Sequence, residues 1–215
     1  MPLRYKCSGL LPHRSRRSRS VEKPLPESPF FDVDELKAFG FVQVGSNVQV
    51  SRKSSFYRIA GRIGDNVRID DFCIFKGHVE IGSYVHIAAF CCVSGAFAKV
   101  ELRDFCTLSN RVSIFTGSDD YAADTLNNSQ VPEEFTTIRK GPVVIGQAAL
   151  VGAHSVILPG ITVGDAGSVG AMAVVTKSIG PGEMARAAAT VAVVGERKRD
   201  VGKILAMAKE FLRKK

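Results

Sequence analysis

No stretch of this 215-residue chain approaches the run of about 18 apolar residues that a membrane-spanning helix needs, which predicts a soluble protein. Residues 1–20 carry Arg4, Lys6, Arg14, Arg16, Arg17 and Arg19 without an apolar stretch long enough for a signal peptide, so a cytoplasmic location is expected. There is no Cys-x-x-Cys pair among the five cysteines, which argues against thiolate metal sites and redox motifs. Gly-x-Ser-x-Gly is also missing, and with it the usual serine nucleophile of the α/β-hydrolases. Histidine is scarce: His13, His78, His86 and His154 are all there is, and none falls between residues 87 and 153.

Also absent over most of the chain are the 3.6-residue period of an amphipathic helix and the simple alternation of a half-buried strand. A six-residue period takes their place. Aliphatic or aromatic side chains recur at Ile63, Ile69, Phe75, Ile81, Ile87 and Val93, then Leu102, Leu108 and Ile114, then Ile145, Val151, Ile157, Val163, Val169 and Val175. Four places after each of them stands another small or apolar residue, as at Val67, Cys73, Val79, Val85, Cys91, Cys106 and Val112. Alternate residues of a strand face the same way, so both series point inward and the residue between them points out. Short strands joined by tight corners satisfy this pattern, with the corner expected at the glycine that often follows the aliphatic residue (Gly64, Gly82, Gly146, Gly152, Gly164), where a positive φ is inexpensive. Three such faces make a coil, and stacked coils make a parallel β-solenoid. Cys73, Cys91 and Cys106 are then core residues, Cys92 points out, and Cys7 lies in the basic head.

The segments Ile63-Gly64-Asp65-Asn66-Val67-Arg68-Ile69, Ile81-Gly82-Ser83-Tyr84-Val85-His86-Ile87, Phe115-Thr116-Gly117-Ser118-Asp119-Asp120-Tyr121, Gly141-Pro142-Val143-Val144-Ile145-Gly146 and His154-Ser155-Val156-Ile157-Leu158-Pro159-Gly160 carry a resemblance over residues 34 to 180. The chain resembles the hexapeptide-repeat acyltransferases, in particular the bacterial sugar O- and N-acetyltransferases of surface-polysaccharide pathways. That resemblance implies an all-β fold, a left-handed parallel β-helix with a long inserted loop and short terminal helices. It also implies acetyl-CoA as acyl donor, a sugar or nucleotide-sugar acceptor, direct transfer without a covalent enzyme intermediate, and a homotrimer with active sites between neighbouring solenoids.

The expected organisation is a basic segment over 1–30, a β-helix domain over 31–180 with its insertion at 115–142, and a C-terminal extension over 181–215. Asp32–Phe39 reads as a short helix, and Val201, Ile204, Leu205, Ala208 and Leu212 make a helical stripe. The net charge of +8 is concentrated at the ends: residues 1–23 contribute +6 and residues 196–215 contribute +5, leaving the solenoid at −3. Nucleic acid would call for basic residues interleaved on a folded face, so it is not an expected partner.

The repeat breaks twice. Nine residues instead of six separate Val93 from Leu102, and the period stops between Ile114 and Ile145. A long insertion inside a compact domain is usually functional, and this one, expected to lack regular structure of its own, holds Ser118, Asp119, Asp120, Tyr121, Asp124, Asn127, Asn128, Glu133 and Glu134. Such polar density suits an acceptor with many hydroxyls.

Acyl transfer from a thioester needs the attacking amine or hydroxyl to lose its proton, a task for a neutral imidazole of ordinary pKa about 6.5. Related enzymes carry a catalytic histidine in the inserted loop, and this chain has none there. His86, which resembles a histidine near the acetyl group in related N-acetyltransferases, and His78, one place after the position of their base, are the candidate catalytic residues, with Asp119 and Asp120 to orient the base or hold the sugar. Ser118, Tyr121 and Asn110 are candidate acceptor-binding residues. Small outward residues at Gly152, Ala153 and Ala171 suit an extended pantetheine arm, with Lys177, and Arg197 or Lys198, for the phosphates. No metal is expected. Two other readings compete: a non-catalytic solenoid, which leaves the acidic insertion without a purpose, and a γ-carbonic-anhydrase-like enzyme, which needs three histidines around zinc and typically a close histidine pair that this chain lacks.

Overall fold

The computed structural model describes residues 28–187 and position 213. Strands dominate, and the spine of the molecule is a set of parallel ladders in which each residue meets its counterpart one coil away. On one face the inward residues Val44, Ile63, Ile81, Leu102, Ile145 and Val163 stand in register. The second face carries Val50, Ile69, Ile87, Leu108, Val151, Val169 and Ala185. Phe56, Phe75, Val93, Ile114, Ile157 and Val175 line the third. Ile63 to Ile81 and Ile145 to Val163 each span eighteen residues, three hexads to a coil.

The hexad residues from Ile63 to Val175 are all buried, none more than 5 % exposed, and so are their partners Val67, Cys73, Val79, Val85, Cys91, Cys106 and Val112. Each buried aliphatic side chain contributes on the order of 1.5–3 kcal/mol relative to an exposed one. The core is therefore one continuous column, as the six-residue period requires. Cys73, Cys91 and Cys106 are inside it and Cys92 is half-buried and outward, in line with the expectation; Cys7 lies outside the described residues. Burial, with the Asp104 carboxylate nearby, pushes the Cys106 thiol up to about 12, and the Cys91 sulfur together with burial pushes Cys73 up as well.

The corners differ from the expectation. Positive φ falls on the third residue after the aliphatic one, at Asn47, Asn66, Phe72, Tyr84, Phe90, Phe105, Arg111, Ala148, His154, Ala166 and Met172, and not on the glycine directly after it. That glycine has another cause. A Cβ at Gly64 would stand 2.6 Å from the Gly82 carbonyl carbon, one at Gly146 2.5 Å from the Gly164 carbonyl carbon, and one at Gly152 2.5 Å from the Ala171 nitrogen. At these three corners the coils stack so closely that the first position has no room for a side chain. Not every strand is short, either: Ser55–Ile63, Ile74–Ile81 and Cys92–Leu102 run unbroken from the third face round to the first, with register slips at the bend.

The helix Val33–Ala38 opens at Asp32, whose carboxylate accepts from the Glu35 N–H at 2.9 Å while Glu35 accepts from the Asp32 N–H at 2.8 Å. This reciprocal cap fixes the first turn. The helix buries Leu36, and Phe31 and Phe39 beside it pack with Phe56 in an aromatic cluster. The stripe from Val201 to Leu212 lies outside the described residues, as do Arg197 and Lys198.

The insertion has regular structure of its own at its base. Gly117–Asp119 pairs antiparallel with Ile138–Lys140, and a 3₁₀ turn, Glu133–Phe135, tucks Phe135 inside. The nine-residue slip is a bulge. Between the pairs Gly77–Gly95 and Val79–Val100 the Cys92–Leu102 strand takes three extra residues, which brings Phe97 out of the ladder. Thr116 anchors that bulge: its fully buried hydroxyl accepts from the N–H groups of Phe97 (3.2 Å) and Ala98 (3.3 Å) and donates to the Ser94 carbonyl (2.8 Å).

Candidate functional site

Because the insertion leaves the solenoid at Phe115 and returns at Gly141, it arches over the outer side of the third face and borders an open cavity of about 740 Å³. Its floor is apolar, built from Phe97, Phe115, Ile138, Val156 and Leu158; its rim is polar, with Ser118, Asp119, Tyr121, Asn127, Asn128 and Glu133. A second hollow of about 320 Å³ opens on the other side of the same hairpin and is lined by Ser118, Asp119, Asp120, Tyr121, Arg139 and Thr176, among others. Four of the candidate residues thus meet at the hairpin.

Asp120 is already engaged there. It accepts from the Ala122 N–H at 3.0 Å and from Arg139 at 3.2 Å, and these contacts, the backbone one first, hold its carboxyl below the ordinary value. Asp119 pairs by backbone with Ile138 and lines both hollows. Asn110 stands at a solenoid corner, exposed, its carbonyl accepting from the His154 N–H at 2.9 Å, and it lines neither hollow.

His86 and His78 project outward, as the hexad pattern requires, but from different faces, and neither borders the two hollows. The His86 Nε2 lies 3.0 Å from an oxygen of Asp70, and the other Asp70 oxygen accepts from Arg68 Nε at 2.8 Å. Burial raises the Asp70 carboxyl, but hydrogen bonds and charge from Arg68 and His86 outweigh it, and the net shift is downward. A carboxylate fixed by an arginine thus orients the His86 ring, a role the sequence reading gave to Asp119 and Asp120. Asp70 was legible in principle: His86 pairs with Arg68 one coil below, and Asp70 directly follows that two-residue strand. His78 Nε2 lies 3.4 Å from Glu80, a residue also held by Arg62 and Lys99 in a chain of ion pairs that continues through Glu101 to Arg103. That setting gives His78 a place in a surface charge ladder.

Gly152, Ala153 and Ala171 come together at one corner of neighbouring coils, where Met172 N–H donates to the Ala153 carbonyl at 2.8 Å. Lys177 belongs to the next corner along, beside Thr176 at the edge of the smaller hollow. Among the described residues, no three His, Cys, Asp or Glu side chains are grouped as metal ligands. None of the described helices is long and apolar enough to cross a membrane.

Residues 61–95 match the family described as bacterial transferase hexapeptide (six repeats). The chain is 40 % identical over 136 residues, 61 % of its own length and 70 % of the relative's, to the dTDP-4-amino-4,6-dideoxy-D-glucose acyltransferase of Escherichia coli. It is 31 % identical over 102 residues, 45 % of its length and 49 % of the relative's, to the putative lipopolysaccharide biosynthesis O-acetyl transferase WbbJ of Escherichia coli K12. Among solved structures, a variant of AntD, an N-acyltransferase from Bacillus cereus, in complex with dTDP-4-amino-4,6-dideoxyglucose and coenzyme A, aligns with a TM-score of 0.70 and 35 % identity over 88 % of this chain and 100 % of that one. AntD in complex with dTDP and 3-hydroxybutyryl-CoA aligns with a TM-score of 0.69 and 36 % identity over 86 % and 97 %. Repeat, coil geometry and near full-length likeness agree, and the chain belongs to the hexapeptide-repeat acyltransferases, enzymes with a left-handed β-helix that take their acyl group from coenzyme A.

Proposed function

We propose that this protein transfers an acetyl group from acetyl-CoA to the amino group of a nucleotide-linked amino-deoxy sugar in surface-polysaccharide synthesis. The observation that carries the reading is the near full-length likeness to AntD, whose complexes hold coenzyme A together with dTDP or a dTDP-aminosugar. An open, hydroxyl- and amide-rimmed cavity under the insertion supports it. In the reaction the sugar nitrogen attacks the thioester carbonyl, the N–C bond forms, the C–S bond breaks, and the coenzyme A thiolate leaves. The nitrogen sheds a proton on the way. His86, oriented by Asp70, is the group proposed to receive it; Asp119, Ser118 and Tyr121 hold the acceptor, while Asp120 stiffens the hairpin through Arg139.

In this reading the active unit is a homotrimer in the cytoplasm, and His86 of one subunit serves an acceptor held by the loop of its neighbour, since the two do not meet within one chain. The corner formed by Gly152, Ala153 and Ala171 takes the pantetheine arm, and Lys177 a phosphate. Likeness to WbbJ favours a second reading, transfer to a sugar hydroxyl. Mass spectrometry of products from acetyl-CoA with dTDP-4-amino-4,6-dideoxyglucose, or with the 4-hydroxy sugar nucleotide, separates them. An N-acetylated product from the amine alone is expected; a product from the hydroxy sugar alone would contradict it.

A further inference from the structure

The cavity under the insertion is mismatched to a bare sugar. Its floor is an aromatic and aliphatic sheet of Phe97, Phe115, Ile138, Val156 and Leu158, which offers the hydroxyls of a sugar no polar partner. Phe97 is the least ordinary part of it. Three residues are added to a regular strand for no ladder purpose, and the result is an aromatic ring 45 % exposed at the cavity wall.

The ring is held, not loose. Thr116 fixes the bulge from below, as described, and the next residue is the glycine on which the ring rests: a Cβ at Gly117 would run into the Phe97 ring itself. Lys140, paired with Gly117 across the hairpin, places its ammonium 5.3 Å from the ring centroid. A rigid aromatic face beside a cation, next to a cavity with carboxamides on its rim, is the chemistry that takes a nucleobase by stacking and a phosphate by charge. Asn127 is the carboxamide that lines the cavity with an acceptor, Oδ1, buried and without a partner.

We infer that this cavity is the nucleobase subsite of the acceptor, with Phe97 as the stacking face, Lys140 as the nearby cation for the diphosphate, and Asn127 as the group that reads the imide edge of a uracil- or thymine-type pyrimidine. An imide presents a donor N–H flanked by acceptor carbonyls, and a carboxamide offers the complementary acceptor and donor. The carboxylates of Asp119 and Glu133 on the rim repel phosphate, which orients the nucleotide base inward and diphosphate toward Lys140. This assignment rests on the nucleotide-sugar reading above and names the residues that would make it specific.

Calorimetric titration of the full-length protein with dTDP, and separately with coenzyme A, tests it. Phe97→Ala is expected to weaken dTDP binding roughly 5- to 150-fold, the usual worth of one stacked base, while Phe97→Tyr stays near the parent and coenzyme A binding is unchanged in both. Gly117→Ala is expected to weaken dTDP in the same direction by displacing the ring. The parent should prefer dTDP to dCDP, whose base has no imide N–H, and Asn127→Ala should narrow that preference. Phe97→Ala binding dTDP as tightly as the parent, or a parent indifferent to dTDP that still binds coenzyme A and acylates a free sugar, overturns the subsite and leaves acyl transfer standing. Failure to bind coenzyme A instead overturns the proposed function.

Discussion

Asp70 is the residue through which His86 can be tested. In the proposed role of positioned base, His86 would supply roughly 10²–10⁴-fold in rate, so His86→Ala is expected to lose about that much in kcat with the assembly intact. Asp70→Asn keeps the shape but not the charge, and as a positioning change it should lower kcat and move the pH–rate profile while leaving the acceptor KM near the parent value. His78→Ala, which removes one member of a surface charge ladder, should leave turnover near normal. The Asp70 carboxyl also links stability to pH. Its pKa lies below the ordinary 3.8, so its stabilisation is complete above that value and is lost as the pH falls through the lower folded-state value. Thermal melts should therefore show a steeper loss below about pH 4 in the parent than in Asp70→Asn. At this scale the sequence disclosed His86 and its outward aim but not its partner, because Asp70 lies sixteen residues away and the pairing needs the eighteen-residue coil to be seen. Phe97 was missed for a related reason: a broken period signals that something is extruded without saying what it rests on.

A hexad strand is two residues of ladder and a corner, and the corner decides which substitutions it tolerates. Where glycine holds the first corner position, as at Gly146, the neighbouring coil leaves no room for a side chain, whereas the third position does not require glycine: Ala148 holds φ at +54° without one. Gly146→Ala is therefore expected to destabilise by more than about 2 kcal/mol, since the added carbon meets backbone that cannot move aside, whereas Ala148→Gly should be neutral or stabilise by up to about 1 kcal/mol. Chemical unfolding of the two variants measures both. The reading from sequence placed the positive φ on the glycine because glycine accepts it most readily in isolation. In the stack that advantage is outweighed, because neighbours on adjacent corners offset the cost of the left-handed conformation: the Asn47 amide donates to Asn66 at 2.9 Å, Phe72 stacks on Phe90 at 5.0 Å, and Tyr84 on Phe105 at 4.8 Å. The core itself was fully legible, since only a three-sided coil buries a side chain at every sixth position. Ile114→Ala in that column should cost about 2–5 kcal/mol.

Taken whole, the described solenoid is a narrow prism with one large projection, and the proposed function has that loop share its site with a neighbouring subunit. Light scattering of the purified protein should give three subunits, and a stable, active monomer would contradict the assignment of His86 and the loop to one shared site. Acetyl-CoA at millimolar concentration should raise the melting temperature by mass action. The family, its donor and its coil geometry could be read from the hexads and the segment around Thr116-Gly117; the acceptor's nucleotide could not, because the cavity that suits it joins the bulge at Phe97 to residues 115–158, which meet only when the coils are stacked. The most direct measurement is the release of coenzyme A thiol by the purified protein from acetyl-CoA, followed alongside the acylated nucleotide sugar formed from dTDP-4-amino-4,6-dideoxyglucose. Thiol and product should appear in equal amounts and only when both substrates are present. Thiol release that is independent of the sugar nucleotide, or no turnover with any nucleotide-linked sugar by a protein that binds acetyl-CoA, would contradict acyl transfer to a nucleotide-bound acceptor.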